Sequence, residues 1–276
     1  MNGPPGASSF IPLPWFPQSI DLDVTAGAGL RRFGMLEADL NIDFASPNRA
    51  ALASCLLELC AVDPTGVFSE RFFRDLSIGK RIECLLVLAA GGREATLGFP
   101  LRCKVCAEEI EFELPLQEIS EVQHGADLTE TVGVDISGRR INFRKPTGRD
   151  QEEWSRMRFT DESDAARVMI ITLAELPGPL EGIQPDEFST VEELLEGADP
   201  LVAFSCSVRC GECGELNEHE IDLMETALGM LHRAQHQLIV AVHRLASHYH
   251  WSEQEIFAVP DWRRRQYLQL IEAVNK

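Results

Sequence analysis

The sequence predicts an α+β fold, with a core of β-hairpins, a helical N-terminal region, a central inserted αβ segment and a C-terminal helical hairpin. Three observations carry this. Two Cys-x-x-Cys pairs, Cys103/Cys106 and Cys210/Cys213, each sit between segments that read as strands. Residues 108–114 (EEIEFEL) put Ile110, Phe112 and Leu114 on one face and Glu109, Glu111 and Glu113 on the other, the period of a half-buried strand. Apolar residues recur at helical spacing in 47–90 and again in 223–274. Four thiolates brought together from two hairpin tips form a closed tetrahedral zinc site, so the hairpin core is expected to be a zinc ribbon.

Taken in order, residues 1–22 form a Pro-rich extended arm carrying Phe10, Ile11, Trp15 and Phe16. Prolines keep such a segment extended, and its aromatic side chains favour burial, either on the arm's own domain or on a neighbouring subunit; a disordered arm is the remaining reading. Residues 23–123 form an α/β region with the first knuckle. Within it, 35–44 (MLEADLNIDF) hints at a strand, and Ser46-Pro47 reads as an N-cap with proline at the first helical position. Helices are expected over 47–60, about 69–75, and from Ser77 to the Gly91-Gly92 stop. A strand at 95–102, the Cys103–Cys106 turn and the return strand follow. Residues 124–200 form an insert with a hairpin around Ser137-Gly138, the run Phe143-Arg-Lys-Pro-Thr-Gly-Arg-Asp150 entering a helix, an amphipathic helix over 162–176, a Pro/Gly-rich loop over 177–189 and a short helix over 190–196. The second knuckle occupies 201–222, where Gly214 supplies the positive φ such a turn uses. Residues 223–276 hold a long helix to 248, a break at His250-Trp251-Ser252, a short helix and a last one opened by Pro260. Ser252 and Glu255 are spaced as a capping box.

The charge balance narrows the function. With 44 acidic against 25 basic residues the net charge is −19. Nucleic-acid binding needs a basic footprint, and an anionic membrane repels such a surface; protein partners suit it. The segment Met1–Ile20 lacks a basic leader and its apolar residues are broken by prolines, so it is not expected to be a signal peptide. No run reaches the ~18 apolar residues a membrane helix requires. In the reducing cytoplasm implied, paired cysteines are metal ligands rather than disulfides.

Cys103, Cys106, Cys210 and Cys213 are therefore the candidate ligands of one structural Zn2+. Four thiolates close the shell and leave no water to activate. The competing reading is a redox disulfide, disfavoured because a redox Cys-x-x-Cys opens a helix in a βαβ unit. Cys55, Cys60 and Cys84 fall inside helices as small apolar residues; Cys206 lies outside the knuckle spacing and is expected in the core, with a minor alternative as a substitute ligand. His232, His236 and His243 share a helix face but lack the glutamate of a His-Glu-x-x-His site. His219-Glu220 lacks the following Pro-Cys-x-x-Cys of a zinc deaminase, and no phosphate loop or nucleophile elbow occurs. No catalytic residues are assigned.

The C-terminal run VHRLASHYHWSEQEIFAVPDWRRRQYLQLIEAV (242–274), with Trp251-Ser252-Glu253, Pro260, Arg263-Arg264 and Tyr267-Leu268, resembles the end of small zinc-ribbon-like proteins encoded among baseplate genes of contractile-tailed phages and contractile injection systems. It is similar, more distantly, to the phage baseplate hub subunit family. The resemblance covers roughly residues 80–274, including both Cys-x-x-Cys pairs and the 143–150 run. Family members usually carry Gly where His250 stands. The resemblance implies a structural baseplate component that organises hub and wedge proteins, with no nucleic acid, membrane insertion or small-molecule substrate, present in the cytoplasm during assembly and then in the tail. An assembly chaperone absent from the finished particle is the alternative; a zinc-ribbon nucleic-acid module is a second, and a hydrolase using the histidine face a third. Phe10, Trp15 and Phe16 in the arm, and Arg263, Arg264 and Arg265 in the one dense basic cluster, are the candidate partner contacts; for the arginines the alternative is a solvated helix face.

Overall fold

The computed structural model describes residues 10–16, 27–64, 66, 68–136, 138–175 and 185–274. It is an α+β molecule of ten α-helices and four small antiparallel sheets among those residues. The first sheet joins β1 (Phe10–Pro12), β2 (Gly29–Arg31) and β3 (Ala61–Val62) in that order. Helices α1 (Arg49–Cys60), α2 (Phe72–Asp75) and α3 (Ile78–Ala90) follow, then the hairpin of β4 (Thr96–Arg102) and β5 (Glu109–Pro115) and helix α4 (Leu116–Asp127). The insert contains the β6–β7 hairpin (Thr131–Ile136, Arg139–Arg144) and helices α5 (Gly148–Trp154), α6 (Glu162–Leu173) and α7 (Pro185–Ala198). The chain ends with the hairpin of β8 (Ser205–Arg209) and β9 (Leu216–Glu220), the long α8 (Leu223–Tyr249), α9 (Glu253–Ala258) and α10 (Asp261–Val274).

One large core draws on most of the chain: Ile11 from the arm, Leu30, Leu56 and Leu57, Leu85 and Leu86, Leu97, Leu116, Leu201 and Leu231 are all buried in it. A second core of Val134, Ile141, Phe143, Ile170, Leu173 and Val191 belongs to the insert. A third of Val242, Leu245, Ile256 and Ile271 closes α8 against α9 and α10, with Tyr267 and Leu268 packed on its margin.

Residues 10–16 of the arm lie on their own chain; 1–9 and 17–22 lie outside the described residues. Ile11, Leu13 and Phe16 are buried, and β1 pairs with β2. The Lys80 ammonium donates to the Trp15 carbonyl at 2.7 Å and stands over the Phe16 ring, while the Trp15 ring meets His124 at 3.9 Å between centroids. Lys80 is itself buried beside Glu83 and Asp127, with N–O distances of 2.6 and 2.5 Å. The carboxylates compensate its desolvation, which is why a lysine is tolerated there.

Several local expectations are corrected. Residues 35–44 do not form a strand; Glu37–Asn41 is a 3-10 turn. Its cause is tertiary: the fully buried Asp39 carboxylate accepts from both Arg31 guanidinium nitrogens at 2.6 and 2.8 Å and from the Gly34 N–H at 2.8 Å, winding the chain around it. The first helix is capped by Asn48, whose side chain accepts from Ala51 N–H, not by Ser46. The helix expected over 69–75 shortens to α2. Helix α4 was not expected at all, and α7 starts at Pro185, so the loop expected over 177–189 is helical in its last part; 177–184 lies outside the described residues, as does Ser137 of the hairpin turn. Ser77 and Ser252 cap α3 and α9 as expected, the latter with a complete Ser252–Glu255 box. His250 ends α8 at φ 56°, the left-handed conformation that favours glycine.

The run 143–150 is the joint between insert and main core. Phe143 is fully buried in the insert. Arg144 pairs with both oxygens of Asp150 at 2.8 and 2.6 Å, and Asp150 completes a capping box with Thr147. Lys145 donates to the Ala126 carbonyl, the Pro146 carbonyl accepts from Ile78 N–H, and Gly148 N–H donates to the Leu76 carbonyl. Gly148 also makes room for the fully buried Arg81: a Cβ there would collide with the guanidinium.

Candidate metal centre

The β4–β5 and β8–β9 hairpins carry the two cysteine pairs at their tips, and their local geometry is the same. In the first, Cys103 N–H donates to the Glu108 carbonyl at 2.9 Å and Ala107 N–H to the Cys103 carbonyl at 3.0 Å. In the second, Cys210 N–H donates to Glu215 at 2.9 Å and Gly214 N–H to Cys210 at 3.0 Å. The strand register matches too: Arg102 faces Glu109, and Arg209 faces Leu216. Both turns need a left-handed residue after the second cysteine, φ 75° at Gly214 and φ 61° at Ala107. Gly214 was expected there; Ala107 is the position where the same turn is made with a Cβ in place, at a strain of ~1–2 kcal/mol.

The four sulfurs converge. All lie within 4.8 Å of one another, with Cys103–Cys213 and Cys106–Cys210 at 3.6 Å. A tetrahedral ion with metal–sulfur bonds of ~2.3 Å, the zinc–thiolate value, sets sulfur–sulfur distances of about 3.8 Å. The donor set and its spacing therefore fit one four-coordinate metal ion. Cys103 and Cys210 are buried, Cys106 and Cys213 exposed, so the centre lies just under the surface with its inner side on Ile110, Leu101 and Val208.

The electrostatics point the same way. In the metal-free chain the backbone N–H groups of Cys106 and Val105 pull the Cys103 thiol down to about 6. Cys106 is pushed up to about 12: the Glu108 N–H works against this, but the adjacent Cys103, Cys210 and Cys213 sulfurs prevail. Cys213 is also raised: the Glu215 N–H and Cys106 oppose this, but desolvation with the Cys103 and Cys210 sulfurs prevails. With Cys103 lowered, Cys106 and Cys213 are held protonated unless a cation joins them.

One supporting residue escaped the sequence reading. Asn217 on β9 is buried, accepts from Lys104 N–H of the other knuckle at 2.8 Å, and donates from Nδ2 to the Glu215 carbonyl at 3.0 Å and toward the Cys103 sulfur at 3.6 Å. It ties the tips together independently of any ion. The available signal was a polar residue at the place where the first hairpin has Ile110, seven after the first cysteine in each case.

The remaining candidates are dispersed. Cys206 packs at the margin of the large core, outside the thiol cluster. Cys60 and Cys84 are buried and their thiols are raised by desolvation, Cys60 to about 12. Cys55, expected as a buried apolar residue, is exposed on α1. His232 stacks on Phe44, and no metal-sized grouping of His, Cys, Asp or Glu other than the four thiols occurs among the described residues. Phe16 and Arg264 do not face outward: Phe16 is in the large core, and Arg264 is covered and stands over the Phe257 ring. Of the other candidate contact residues, Phe10 and Trp15 are half-buried and Arg263 and Arg265 are exposed. Among the described residues no helix is long and apolar enough to cross a membrane. Comparison of the chain with protein-family models, curated proteins and solved structures found no match to any of them.

Proposed function

We propose that this chain is a non-enzymatic structural component of the baseplate of a contractile tail or injection system, riveted internally by one zinc ion. The observation that carries the structural part is the convergence of Cys103, Cys106, Cys210 and Cys213 to within 4.8 Å from hairpins separated by the whole insert. A closed thiolate shell has no open coordination position, so the ion's role is cohesion. Sites of this kind contribute apparent binding energies on the order of 10 kcal/mol to folding at neutral pH.

The baseplate assignment rests on the resemblance over roughly residues 80–274. It is supported by the net charge of −19, which suits protein partners and disfavours nucleic acid. The joint at 143–150 and the αL cap at His250 give physical roles to two features through which the resemblance runs. In this reading Arg263 and Arg265 on α10 meet an acidic surface of a hub or wedge neighbour.

Two measurements test the proposal. Elemental analysis of the purified protein is expected to give one zinc per chain, lost in Cys106→Ser and Cys213→Ser with destabilisation of the whole molecule; a metal-free wild type of unchanged stability refutes the rivet. Mass spectrometry of purified particles is expected to find the chain in fixed stoichiometry. Its presence during assembly but not in finished particles favours a chaperone instead, and absence from both refutes the baseplate reading.

A further inference from the structure

The insert carries a groove that the metal centre does not use. It runs between α6 and α7 as two adjoining cavities of about 370 and 520 Å³, which share Glu162, Ala166 and Glu192. The smaller cavity is walled mainly by apolar side chains, Trp154, Met169, Ile170, Leu173 and Leu195; the larger adds Phe188 beside Ser163 and Ser189. Ile170 and Leu173 belong to the insert's own core, so the groove is an opening onto that core. Its rim is acidic. Glu162, Glu192 and Glu196 are exposed there, and none is in an ion pair among the described residues. Among the described residues, Arg167 is the one cation lining it.

An apolar trough between two helices, edged by unpaired carboxylates, is complementary to a helix with an apolar face and basic flanks. Two turns of such a helix present i, i+3, i+4 and i+7 side chains to the trough while its lysines or arginines reach the rim. A second copy of this chain fits poorly, since each copy carries −19. We propose that the α6–α7 groove docks an amphipathic helix of a different, basic protein. This stands independently of the metal centre and of the baseplate assignment.

The test uses the full chain and three fluorescein-labelled 18-residue peptides. One is an amphipathic helix with Leu on one face and Lys on the flanks; the second has Glu in place of every Lys; the third is a scrambled Lys peptide. The Lys helix is expected to bind at least tenfold tighter than either control, and to slow amide exchange in α6 and α7. Glu192→Lys with Glu196→Lys, both on the exposed rim, is expected to weaken it about tenfold without altering the circular dichroism. Ala166→Trp, which fills the shared middle of the groove, is expected to abolish it. Equal binding of the scrambled peptide, protection located elsewhere, or binding unaffected by the rim reversal overturns the proposal. Because the rim variants alter only surface charge, loss of folding in Ala166→Trp leaves the test decisive.

Discussion

Asn217 offers the sharpest test of how the metal centre is built. Its amide makes two kinds of contact that can be separated. The Lys104 N–H bond at 2.8 Å joins the knuckles whether or not metal is bound, whereas the Nδ2 contact with the Cys103 sulfur at 3.6 Å matters most when that sulfur is a thiolate. Asn217→Asp keeps an acceptor for Lys104, loses the donor and places a carboxylate beside the thiolates. A hydrogen bond to a charged group contributes about 1.5–3 kcal/mol, and 1.4 kcal/mol is about a factor of ten, so zinc affinity is expected to fall by roughly 10–100-fold, the usual range for partners of metal ligands. Asn217→Leu additionally orphans the Lys104 N–H, costing about 1–3 kcal/mol that appears even without metal. The assay is zinc competition against a chromophoric chelator, paired with urea denaturation of the metal-free protein. An Asp variant that binds zinc within twofold of wild type, or a Leu variant whose metal-free stability is unchanged, refutes this account.

Other outcomes follow from single positions. Ala107→Gly is expected to stabilise the protein by roughly 0.5–1 kcal/mol, the relief of left-handed strain less the entropy gained by the unfolded chain; Gly214→Ala is expected to cost a similar amount, all of it backbone, because a Cβ there meets nothing within 4 Å. Denaturation midpoints at fixed free zinc check both. Gly148→Ala forces its Cβ into a guanidinium held by the Ala50 carbonyl and Ser54, and is expected to destabilise by about 3 kcal/mol by calorimetry, with Arg81→Met in the same background recovering part of the loss. For Asp150, burial works to raise the carboxyl, but hydrogen bonds from Arg144 and Thr147 outweigh it and hold the group below its ordinary value. A lowered folded value means stability present above the ordinary aspartate range and lost as pH falls through the folded value. The advantage of wild type over Asp150→Asn is therefore expected to be full at neutral pH and to fade only below the ordinary aspartate value of 3.8, as followed by urea midpoints across the acid range; an advantage constant down through that range refutes the pairing.

The parts legible in the sequence were those governed by local rules. Strict alternation marked β5, the Cys-x-x-Cys spacing marked both turns, and Ser77 and Ser252 marked helix starts through their own side chains. The parts that were not legible depended on distant partners. MLEADLNIDF has a strand-like pattern, yet Asp39 is captured by Arg31 and the segment coils around that pair. Helix α4 follows directly from β5 at Pro115 with no capping side chain, so its start was unmarked, and its buried face of Leu116, Ile119, Ser120 and Gln123 is half polar. The arm aromatics favoured self-packing but left docking on a neighbour open; the Lys80 ammonium, sixty-five residues on, holds residues 10–16 on their own chain. Asn217 was invisible because its role exists only once the two hairpins face each other.

The spacing of the two hairpins has a consequence for biosynthesis. Cys103 and Cys210 are separated by 107 positions (210 − 103), and the large core also needs Leu201, Leu228 and Leu231. While the ribosome has yet to deliver those residues, the amino-terminal half emerges with its apolar side chains lacking their final cover. The middle portion, with its private core between Val134 and Val191, is able to condense first and shorten the gap. On the proposed zinc-rivet reading, capture of the ion is a late event in the life of the nascent polypeptide, and scarcity of the metal during translation is expected to send this chain toward aggregation or degradation, not toward a slightly weakened product.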